Sequence, residues 1–381
     1  MKNIYLLGTT GSIGLQTIEI ILKYPQKFNV VGLSFGATKK EIHEELINKL
    51  DPEVIHFREA NNFQEKYPHK TIYYGEEGLL QFVSYHKEGL VVNALGGSAG
   101  LRPTIKAIES KKDIALANKE TLVMAGEIIK RLLKEHQVKL FPIDSEHNAI
   151  LSCLRGEEKR DIKTITLTAS GGPFKDLAKE ELENVTVREA LNHPNWQMGE
   201  KISIDSATMA NKALEIIEAH YLFDLDYKNI KAVIHPESIV HGMVSFSDGS
   251  TKALLSSPDM KMPILYALSY PKRYPTGIKE LNFDNLALNF VKIDEKRFPL
   301  IKLAYYVGEK KGLYPAVFNA ANEAAVKLFL KEKIKFLEIE EIVIKMVQDF
   351  KDNIIKPTIT DIIEISKEVE RKVLSKYGFY Y

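Results

Sequence analysis

The first 148 residues alternate short apolar runs with segments in which apolar residues recur every three or four positions. Ile13, Ile20 and Ile21, for example, predict one buried face of a helix between two such runs. The runs that predict buried strands are Lys2–Leu7, Phe28–Phe35, Val54–Phe57, Thr71–Tyr74, Leu90–Leu95, Ile114–Ala117 and Lys139–Ile143. Strands that alternate with helices predict a doubly wound parallel sheet with helices on both faces.

The pattern changes after Ile162. Lys163–Ala169 predicts a strand, and a loop rich in Gly, Pro and Asn follows as far as about Gly199. The later runs that predict an antiparallel or mixed sheet are Ala232–His235, Val240–Phe246 and Thr251–Leu255. Asp248-Gly249 is typical of a hairpin turn between two of these strands.

Beyond Asp294 the pattern is helical, and Thr358 is a candidate cap for the last helix. The apolar stripe of that helix is Ile362, Ile365, Val369 and Val373. We therefore predict an α/β protein with three domains: an N-terminal Rossmann-like doubly wound domain (1–148), a central α+β domain (149–293) with a flexible loop at about 185–200, and a C-terminal helical domain (294–381).

Composition narrows the class of protein. A chain of 381 residues is too long to fold around one small hydrophobic core, so more than one domain is expected. Its formal net charge of +1 argues against nucleic-acid binding through a basic field. The single cysteine, Cys153, excludes an internal disulfide and fits a reducing compartment. No apolar run is long enough to span a membrane, and a strand predicted from Ile4 leaves no room for a leader. We expect a cytoplasmic soluble protein with no nucleic-acid or membrane partner.

Gly8, Gly11 and Gly14 lie between the first predicted strand and its helix, a context that favours dinucleotide binding. The second strand ends without the acidic residue that bonds a ribose 2′-hydroxyl. The polar residues there are Ser34, Thr38, Lys39 and Lys40, which favour a 2′-phosphate and therefore NADP. The alternative is that these lysines are merely solvated.

Two later strand ends carry polar residues. The glycine-rich segment 93–100 follows one strand, and Asn118-Lys119-Glu120 follows the next. Ligands of open parallel sheets collect at the carboxyl ends of the strands. We therefore expect these residues to line the nucleotide crevice.

Carboxylates predict a metal site. Asp144 and Glu146 follow another strand, and in an extended chain residues two apart point the same way. Glu215, from a later helix, is a candidate third ligand. Oxygen ligands without thiolates indicate Mg²⁺ or Mn²⁺. The alternative for Asp144 and Glu146 is a charge cluster at a helix start or a turn.

Residues 205–215 predict an anion site. Asp205 or Ser206 is expected to cap a helix from Ala207 to His220, with backbone N–H groups free at its start. The residues expected to share one side of that helix are Asn211, Lys212 and Glu215. A hydroxyl, an amide and an ammonium suit a phosphate, and the alternative is an amphipathic helix with a solvated Lys–Glu pair.

The loop before that helix contains His193 and the only tryptophan, Trp196, followed by Gly199. Trp196 could belong to a lid that covers a substrate, or could anchor the loop to its domain. His193 could equally be structural. Ser170 lies in another strand exit, the glycine-rich turn 168–174.

Taken together, these segments resemble 1-deoxy-D-xylulose 5-phosphate reductoisomerases over essentially the whole chain. The matching blocks are Gly8–Gly14, Ala117–Glu120, Pro142–Ala149, Thr168–Phe174, His193–Gly199, Lys201–Lys212, Ile234–Ser238, Pro258–Met260 and Asn319–Ala324. The resemblance implies a homodimer whose N-terminal domain binds NADPH and whose central domain holds the metal and the phosphorylated ketose. It implies isomerisation and reduction of that ketose to 2-C-methyl-D-erythritol 4-phosphate, in the non-mevalonate isoprenoid pathway.

The resemblance also implies residue roles. Nucleotide contacts are expected from Thr10, Gly11, Ser12, Ile13, Gly36, Asn118, Glu120 and Gly199, and metal ligation from Asp144, Glu146 and Glu215. Phosphate contacts are expected from Ser170, Ser206, Asn211 and Lys212, and other substrate contacts from Lys119, Ser145, Glu146, His193, Trp196 and Glu215. The catalytic candidates are Lys119, Glu146 and His193. The chain departs from the family at Ala37-Thr38, where close relatives often carry Lys-Asn, so its contacts to NADPH there are expected to differ.

Two other classes of protein remain as alternatives. A semialdehyde dehydrogenase shares the glycine-rich turn but needs a cysteine nucleophile, and Cys153 is more typical of a helical core position. A non-catalytic NADP-binding sensor would not need three carboxylates. The sequence does not choose between Mg²⁺, Mn²⁺ and Co²⁺.

Overall fold

A computed structural model describes residues 1–196, 198–351 and 354–378. The strands in these ranges are β1 (Lys2–Leu7), β2 (Phe28–Phe35), β3 (Val54–Phe57), β4 (Thr71–Tyr74), β5 (Leu90–Asn93), β6 (Asp113–Leu116), β7 (Leu140–Pro142), β8 (Ile162–Ala169), β9 (Ile230–Ile234), β10 (Val240–Phe246), β11 (Thr251–Leu255) and β12 (Val291–Lys292). The helices are α1 (Ser12–Lys23), α2 (His43–Leu50), α3 (Phe63–Lys66), α4 (Gly75–Val83), α5 (Leu101–Glu109), α6 (Lys119–His136), α7 (Ser145–Cys153), α8 (Val187–Leu191), α9 (Glu200–Ala207), α10 (Ala210–Phe223), α11 (Lys261–Ser269), α12 (Pro299–Lys310), α13 (Tyr314–Leu330), α14 (Phe336–Asp349) and α15 (Ile359–Lys376).

The chain forms two compact units. The first comprises Met1–Thr121, Ile128–Asn148 and Asp259–Ile278, and the second comprises Leu122–Glu127, Ala149–Pro258 and Lys279–Tyr381. The division into three domains at 148 and 293 stays a prediction. Among the described residues, no helix combines the length and the apolar character needed to cross a bilayer.

The first unit contains a parallel sheet in the order β4-β3-β2-β1-β5-β6-β7. Its central strand is buried on both faces, as parallel strands covered by helices must be, and Ile4 to Leu7 are fully inaccessible to solvent. Leu7 is in register with Ser34 of β2 and with Asn93 of β5. The exits of these three strands therefore lie level at one edge of the sheet, and the predicted doubly wound α/β class is confirmed.

The second unit contains a mixed sheet in the order β11-β10-β8-β9-β12. Only β8 and β9 run parallel among these described neighbours, and the β10–β11 hairpin turns at Gly249, whose φ of +90° is readily adopted by glycine. Helices α12 to α15 complete this unit. Thr358 caps α15 by accepting from the N–H of Asp361, as predicted, and Val369 and Val373 of the predicted stripe are buried.

Two local predictions need correction. The sequence pattern predicts a helix that follows Pro103, but α5 begins at Leu101, because proline is well tolerated in the first turn of a helix. The predicted loop before Gly199 contains helix α8. Thr186 caps that helix through the N–H of Glu189, and the Glu189 side chain bonds back to the N–H of Thr186.

Candidate functional site

The first βα turn is built so that only glycine fits at two positions. Gly8 has a φ of +75°, and a Cβ there would lie 2.5 Å from the carbonyl oxygen of Ala94. A Cβ at Gly14 would lie 2.3 Å from the carbonyl oxygen of Gly8. Helix α1 follows with Gly11 at its N-cap, so no side chain caps its first N–H groups. A helix start of this kind suits a pyrophosphate.

Two buried asparagines fix the neighbouring strand exits. Asn93 donates from Nδ2 to the carbonyl of Gly100 over 3.0 Å and accepts from the N–H of Leu95. Asn118 donates from Nδ2 to the carbonyls of Leu95 and Gly97 over 3.0 and 2.7 Å. The exits of β5 and β6 are thus tied together. Sequence analysis placed both asparagines at the nucleotide crevice but did not predict the hydrogen bonds that Asn93 makes.

Glu120 and Thr121 are part of the same arrangement. Asn118 caps α6 by accepting from the N–H of Thr121, and its Nδ2 also donates to the carboxylate of Glu120 over 3.0 Å. These contacts hold Glu120 beside the second glycine-rich exit. Polar groups therefore meet at the carboxyl edge of the sheet, as the strand-end pattern predicts.

Lys119 and Asp144 form a buried ion pair, with Nζ and Oδ2 2.8 Å apart. The other oxygen of Asp144 accepts from the N–H groups of Glu146 and His147, so Asp144 caps helix α7. The expected extended chain is wrong, since the helix begins at Ser145. Carboxylate oxygens of Asp144 and Glu146 nevertheless lie within 4.8 Å of each other, so the turn of the helix brings them together.

In the second unit, the predicted helix over Ala207–His220 is two helices. Met209 separates α9 from α10 with a left-handed φ of +61°. Asp205 and Ser206 therefore lie in the last turn of α9, and the expectation that one of them caps the following helix is wrong. Thr208 stabilises the break, because its hydroxyl bonds the carbonyl of Ile204 and accepts from the N–H of Ala210.

Asn211, Lys212 and Glu215 share one side of α10, as predicted. Asn211 Nδ2 and Lys212 Nζ both donate to the carboxylate of Glu215. Lys212 is 2% exposed and Glu215 is 1% exposed. The alternative of a solvated Lys–Glu pair is therefore wrong, because charges are rarely buried unless they are paired.

Sequence analysis missed the groups that hold Asp205. This buried carboxylate accepts from Asn322 Nδ2 on α13 over 2.7 Å and from Lys201 Nζ over 2.6 Å. Asn322 is fully buried on a helix whose buried positions are otherwise mainly apolar. A polar residue within such an apolar pattern is the sequence feature that could have indicated this buried hydrogen bond. Gly172 packs against the same segment, since a Cβ there would lie 2.7 Å from the carbonyl oxygen of Ser206.

Ser170 and His193 are hydrogen-bonded, with Oγ and Nε2 2.9 Å apart. His193 Nδ1 accepts from the N–H groups of Asn195 and Trp196 over 3.2 and 3.0 Å, so Nε2 carries the proton of the neutral ring. Burial lowers the pKa of His193 below its ordinary value of 6.5. Ser170 Oγ accepts from His193 and from the N–H of Gly172, which directs the Ser170 hydroxyl proton elsewhere.

The loop that carries Trp196 is tied to the β9–β10 connection. Asn195 Nδ2 donates to the carbonyl of Pro236 over 2.7 Å and to Ser238 Oγ over 2.9 Å. The Trp196 ring lies edge-on to His241, with 6.2 Å between ring centroids. These contacts support the anchoring alternative, while a lid role stays a prediction. Gln197 lies outside the described residues.

Cys153 is buried at the end of α7, within the apolar core of the second unit. A nucleophilic thiolate needs an exposed, electropositive environment. The position therefore gives no support to the semialdehyde dehydrogenase alternative.

The parallel sheet, its glycine-restricted first turn and the polar strand exits define a dinucleotide-dependent oxidoreductase. Family models for 1-deoxy-D-xylulose 5-phosphate reductoisomerase match residues 4–126, and models of the family's C-terminal domains match residues 140–223 and 255–372. The chain belongs to the 1-deoxy-D-xylulose 5-phosphate reductoisomerase family, and the resemblance inferred from its motifs is confirmed.

Relatives match over nearly their full lengths. The 1-deoxy-D-xylulose 5-phosphate reductoisomerase of Exiguobacterium sp. is 48% identical over 379 residues, covering 98% of each chain. That of Clostridium botulinum is 47% identical, covering 99% of this chain and 100% of the relative. Among solved structures, a DOX-P reductoisomerase in complex with NADPH, fosmidomycin and magnesium has a TM-score of 0.93 at 38% identity, covering 99% of this chain and 98% of that chain. The Zymomonas mobilis enzyme in complex with NADPH has a TM-score of 0.90 at 35% identity, covering 100% of each chain.

Proposed function

We propose that this enzyme isomerises and reduces 1-deoxy-D-xylulose 5-phosphate to 2-C-methyl-D-erythritol 4-phosphate, using NADPH and a divalent metal ion. The observation that carries the proposal is the burial of a lysine–carboxylate pair in each unit, Lys119 with Asp144 and Lys212 with Glu215. Such pairs add little net stability, because the desolvation of both charges offsets their attraction, so a functional role accounts for them better than a stabilising one. Relatives of known structure that bind NADPH, fosmidomycin and magnesium support it.

The first βα turn fits the pyrophosphate of NADPH, because Gly8 and Gly14 leave room for close backbone approach and the start of α1 has no capping side chain. Gly199 is likewise the uncapped N-cap residue of α9. The residues proposed to contact the nucleotide are Thr10, Gly11, Ser12, Ile13, Gly36, Ala37, Thr38, Asn118, Glu120 and Gly199. NADPH would supply the hydride for reduction of the aldehyde.

Asp144, Glu146 and Glu215 are proposed as the metal ligands. The donor set fits a hard cation, because it consists of carboxylate oxygens, and those of Asp144 and Glu146 lie close together. Mg²⁺ or Mn²⁺ suits such a set, and Co²⁺ shares oxygen-rich sites. When bound, the ion would polarise the carbonyl and fix the relative positions of the substrate oxygens.

The phosphate of the substrate is proposed to bind Ser170, Ser206, Asn211 and Lys212. Ser170 is prepared for this role, because its Oγ already accepts from His193 and Gly172, so its own proton can be donated to a phosphate oxygen. Lys212 offers a charge that has already lost most of its hydration through burial. Binding energy gained at the phosphate orients the reacting carbons.

Lys119, Glu146 and His193 are proposed to act at the reacting end, with Ser145 and Trp196 against the substrate. Lys119 Nζ would place a positive charge, or deliver a proton, where negative charge develops on a substrate oxygen. Glu146 could combine ligation with movement of a proton at its carboxylate. The neutral His193 ring has one N–H, on Nε2, which would donate to the substrate after leaving Ser170. A homodimer in the cytoplasm is part of the same proposal.

The test is NADPH oxidation, followed at 340 nm with 1-deoxy-D-xylulose 5-phosphate in metal-free buffer and after addition of Mn²⁺. We expect oxidation only with the metal, and a product identified as 2-C-methyl-D-erythritol 4-phosphate by mass spectrometry and NMR. A chain that binds NADPH but does not oxidise it with metal and substrate present would contradict the proposal and favour the non-catalytic sensor.

A further inference from the structure

The residues that directly follow β2 include no carboxylate. Phe35 is the last residue of the strand, and Gly36, Ala37 and Thr38 follow it. In dinucleotide-binding sheets an acidic residue near this position bonds the ribose 2′-hydroxyl of NAD, whereas a nearby arginine accommodates the 2′-phosphate of NADP. The residue that supplies positive charge here is therefore the determinant of cofactor choice.

The exit of β3 lies directly beside the exit of β2. The two strands are parallel neighbours, with Phe35 in register with Phe57. The next residue, Arg58, donates its backbone N–H to the carbonyl of Phe35 over 3.0 Å. Arg58 thus leaves the sheet next to Gly36.

Three contacts hold the segment after β2 against this edge. His43 Nε2 donates to the carbonyl of Thr38 over 3.2 Å, and the His43 ring packs on Phe35 at 4.4 Å between centroids. Lys40 Nζ and Glu59 Oε2 form an ion pair of 2.7 Å between the two strand exits. Lys40 is therefore already used to neutralise Glu59.

Arg58 and Lys39 are also exposed cations, but they differ from Lys40 in their contacts. Within the described parts of the chain, neither side chain makes a hydrogen bond or an ion pair within 4.0 Å. The charged residues of the two exits are Lys39, Lys40, Arg58, Glu41 and Glu59, so cations exceed carboxylates. A guanidinium can also bind two phosphate oxygens at once, which an ammonium cannot match.

We infer that Arg58 is the specificity-determining residue that binds the 2′-phosphate of NADPH, with Thr38 and Lys39 beside it. The inference rests on the nucleotide site proposed above. It explains how a chain with Ala37-Thr38 after its second strand retains a preference for NADPH.

The experiment measures the dissociation constants of NADPH and NADH by isothermal titration calorimetry for the whole protein and its variants. Arg58→Ala should weaken NADPH binding by roughly tenfold to a hundredfold, the range for loss of a charge-assisted hydrogen bond, and NADH binding by less than about twofold. The NADPH affinity of Arg58→Lys should lie between that of the unmodified protein and that of Arg58→Ala. The matched control is Arg131→Ala, an exposed arginine of the same unit that pairs with Glu135.

The outcomes separate this inference from the proposed nucleotide site. An unchanged ratio of NADPH to NADH affinity in Arg58→Ala, or an equal loss of both, would overturn the role of Arg58 while leaving the site intact. A titration of 2′,5′-ADP against 5′-AMP should show the same selective loss and excludes effects at the nicotinamide. If the unmodified chain binds neither dinucleotide, the proposed site and the inference both fail.

Discussion

The proposed nucleotide site of the first unit and the proposed phosphate site of the second unit are formed by different kinds of groups. The first is made of backbone, where Gly8 and Gly14 exclude any side chain and α1 presents bare N–H groups. The second is made of buried charged side chains, with Lys212 and Glu215 paired on α10. A backbone site depends on shape and tolerates no added atom, whereas a side-chain site depends on compensated charge.

This difference predicts different failures. An added methyl group at the backbone site should abolish ligand binding through a steric clash. Removal of one partner at the side-chain site should leave the other charge buried and unpaired. This lowers the free energy of unfolding by about 3–5 kcal/mol for a broken buried pair. Five experiments follow, in order of decreasing expected effect.

Gly14→Ala should abolish measurable NADPH binding, because its Cβ would lie 2.3 Å from the carbonyl oxygen of Gly8, which cannot move without opening the turn. Calorimetric titration with NADPH measures this. Glu19→Ala, on the exposed side of the same helix and paired with Lys261, serves as control and should bind NADPH normally. Normal NADPH affinity in Gly14→Ala would show that the turn opens without cost.

Lys212→Ala should lower the free energy of unfolding by about 3–5 kcal/mol, since it removes a buried cation from a buried carboxylate. Urea unfolding followed by circular dichroism measures the change. Lys159→Ala, which removes an exposed partner of Asp224 in the same unit, should cost about 0–1 kcal/mol. Equal effects of the two substitutions would remove the distinction between a buried and a solvated pair.

Glu215→Gln should raise the Mn²⁺ concentration needed for half-maximal activity by roughly tenfold or more, because a ligand charge is lost. NADPH affinity should not change, since Glu215 lies in the second unit and is not among the residues proposed to contact the nucleotide. Metal titrations of activity and calorimetry with NADPH measure the two effects. Glu183→Gln, an exposed partner of Lys335, is the control, and an unchanged metal requirement in Glu215→Gln would argue against ligation.

His193 should make the enzyme less stable in mild acid. Its pKa is lowered by burial, so the unfolded chain takes up a proton first as the pH falls below 6.5, and stability is lost from that point downwards. Protonation would also remove Nδ1 as an acceptor for Asn195 and Trp196. The urea midpoint of the parent should fall more steeply than that of His193→Gln between neutral pH and about pH 5. Parallel profiles, or an NMR titration of His193 at or above 6.5, would contradict this.

Cys153→Ser should retain turnover, because the thiol lies in an apolar core and is not among the residues proposed to contact the substrate, the nucleotide or the metal. The stability cost should be small, of the order of 1 kcal/mol for a polar group placed in the core. The 340 nm assay and thermal unfolding measure both quantities. Loss of turnover in a folded variant would restore the cysteine-nucleophile alternative.

The sequence by itself determined the features that depend on local patterns. Strand and helix periodicity gave the element order of the first unit and its doubly wound class, because burial on two faces leaves continuous apolar runs. The spacing Gly8-x-x-Gly11-x-x-Gly14 located the glycine-restricted first turn, since a turn that excludes side chains is visible in the sequence as glycines. Long motif blocks identified the family, which the relatives confirm.

Tertiary structure alone decided how the polar residues are used. The break at Met209, the capping of α7 by Asp144 and the burial of Lys212 with Glu215 depend on contacts or backbone geometry that no periodicity records. Asn322 reaches Asp205 from 117 residues away. The cost of burying a charge is set by whatever partner the fold brings to it, and that partner is chosen by packing rather than by sequence neighbours.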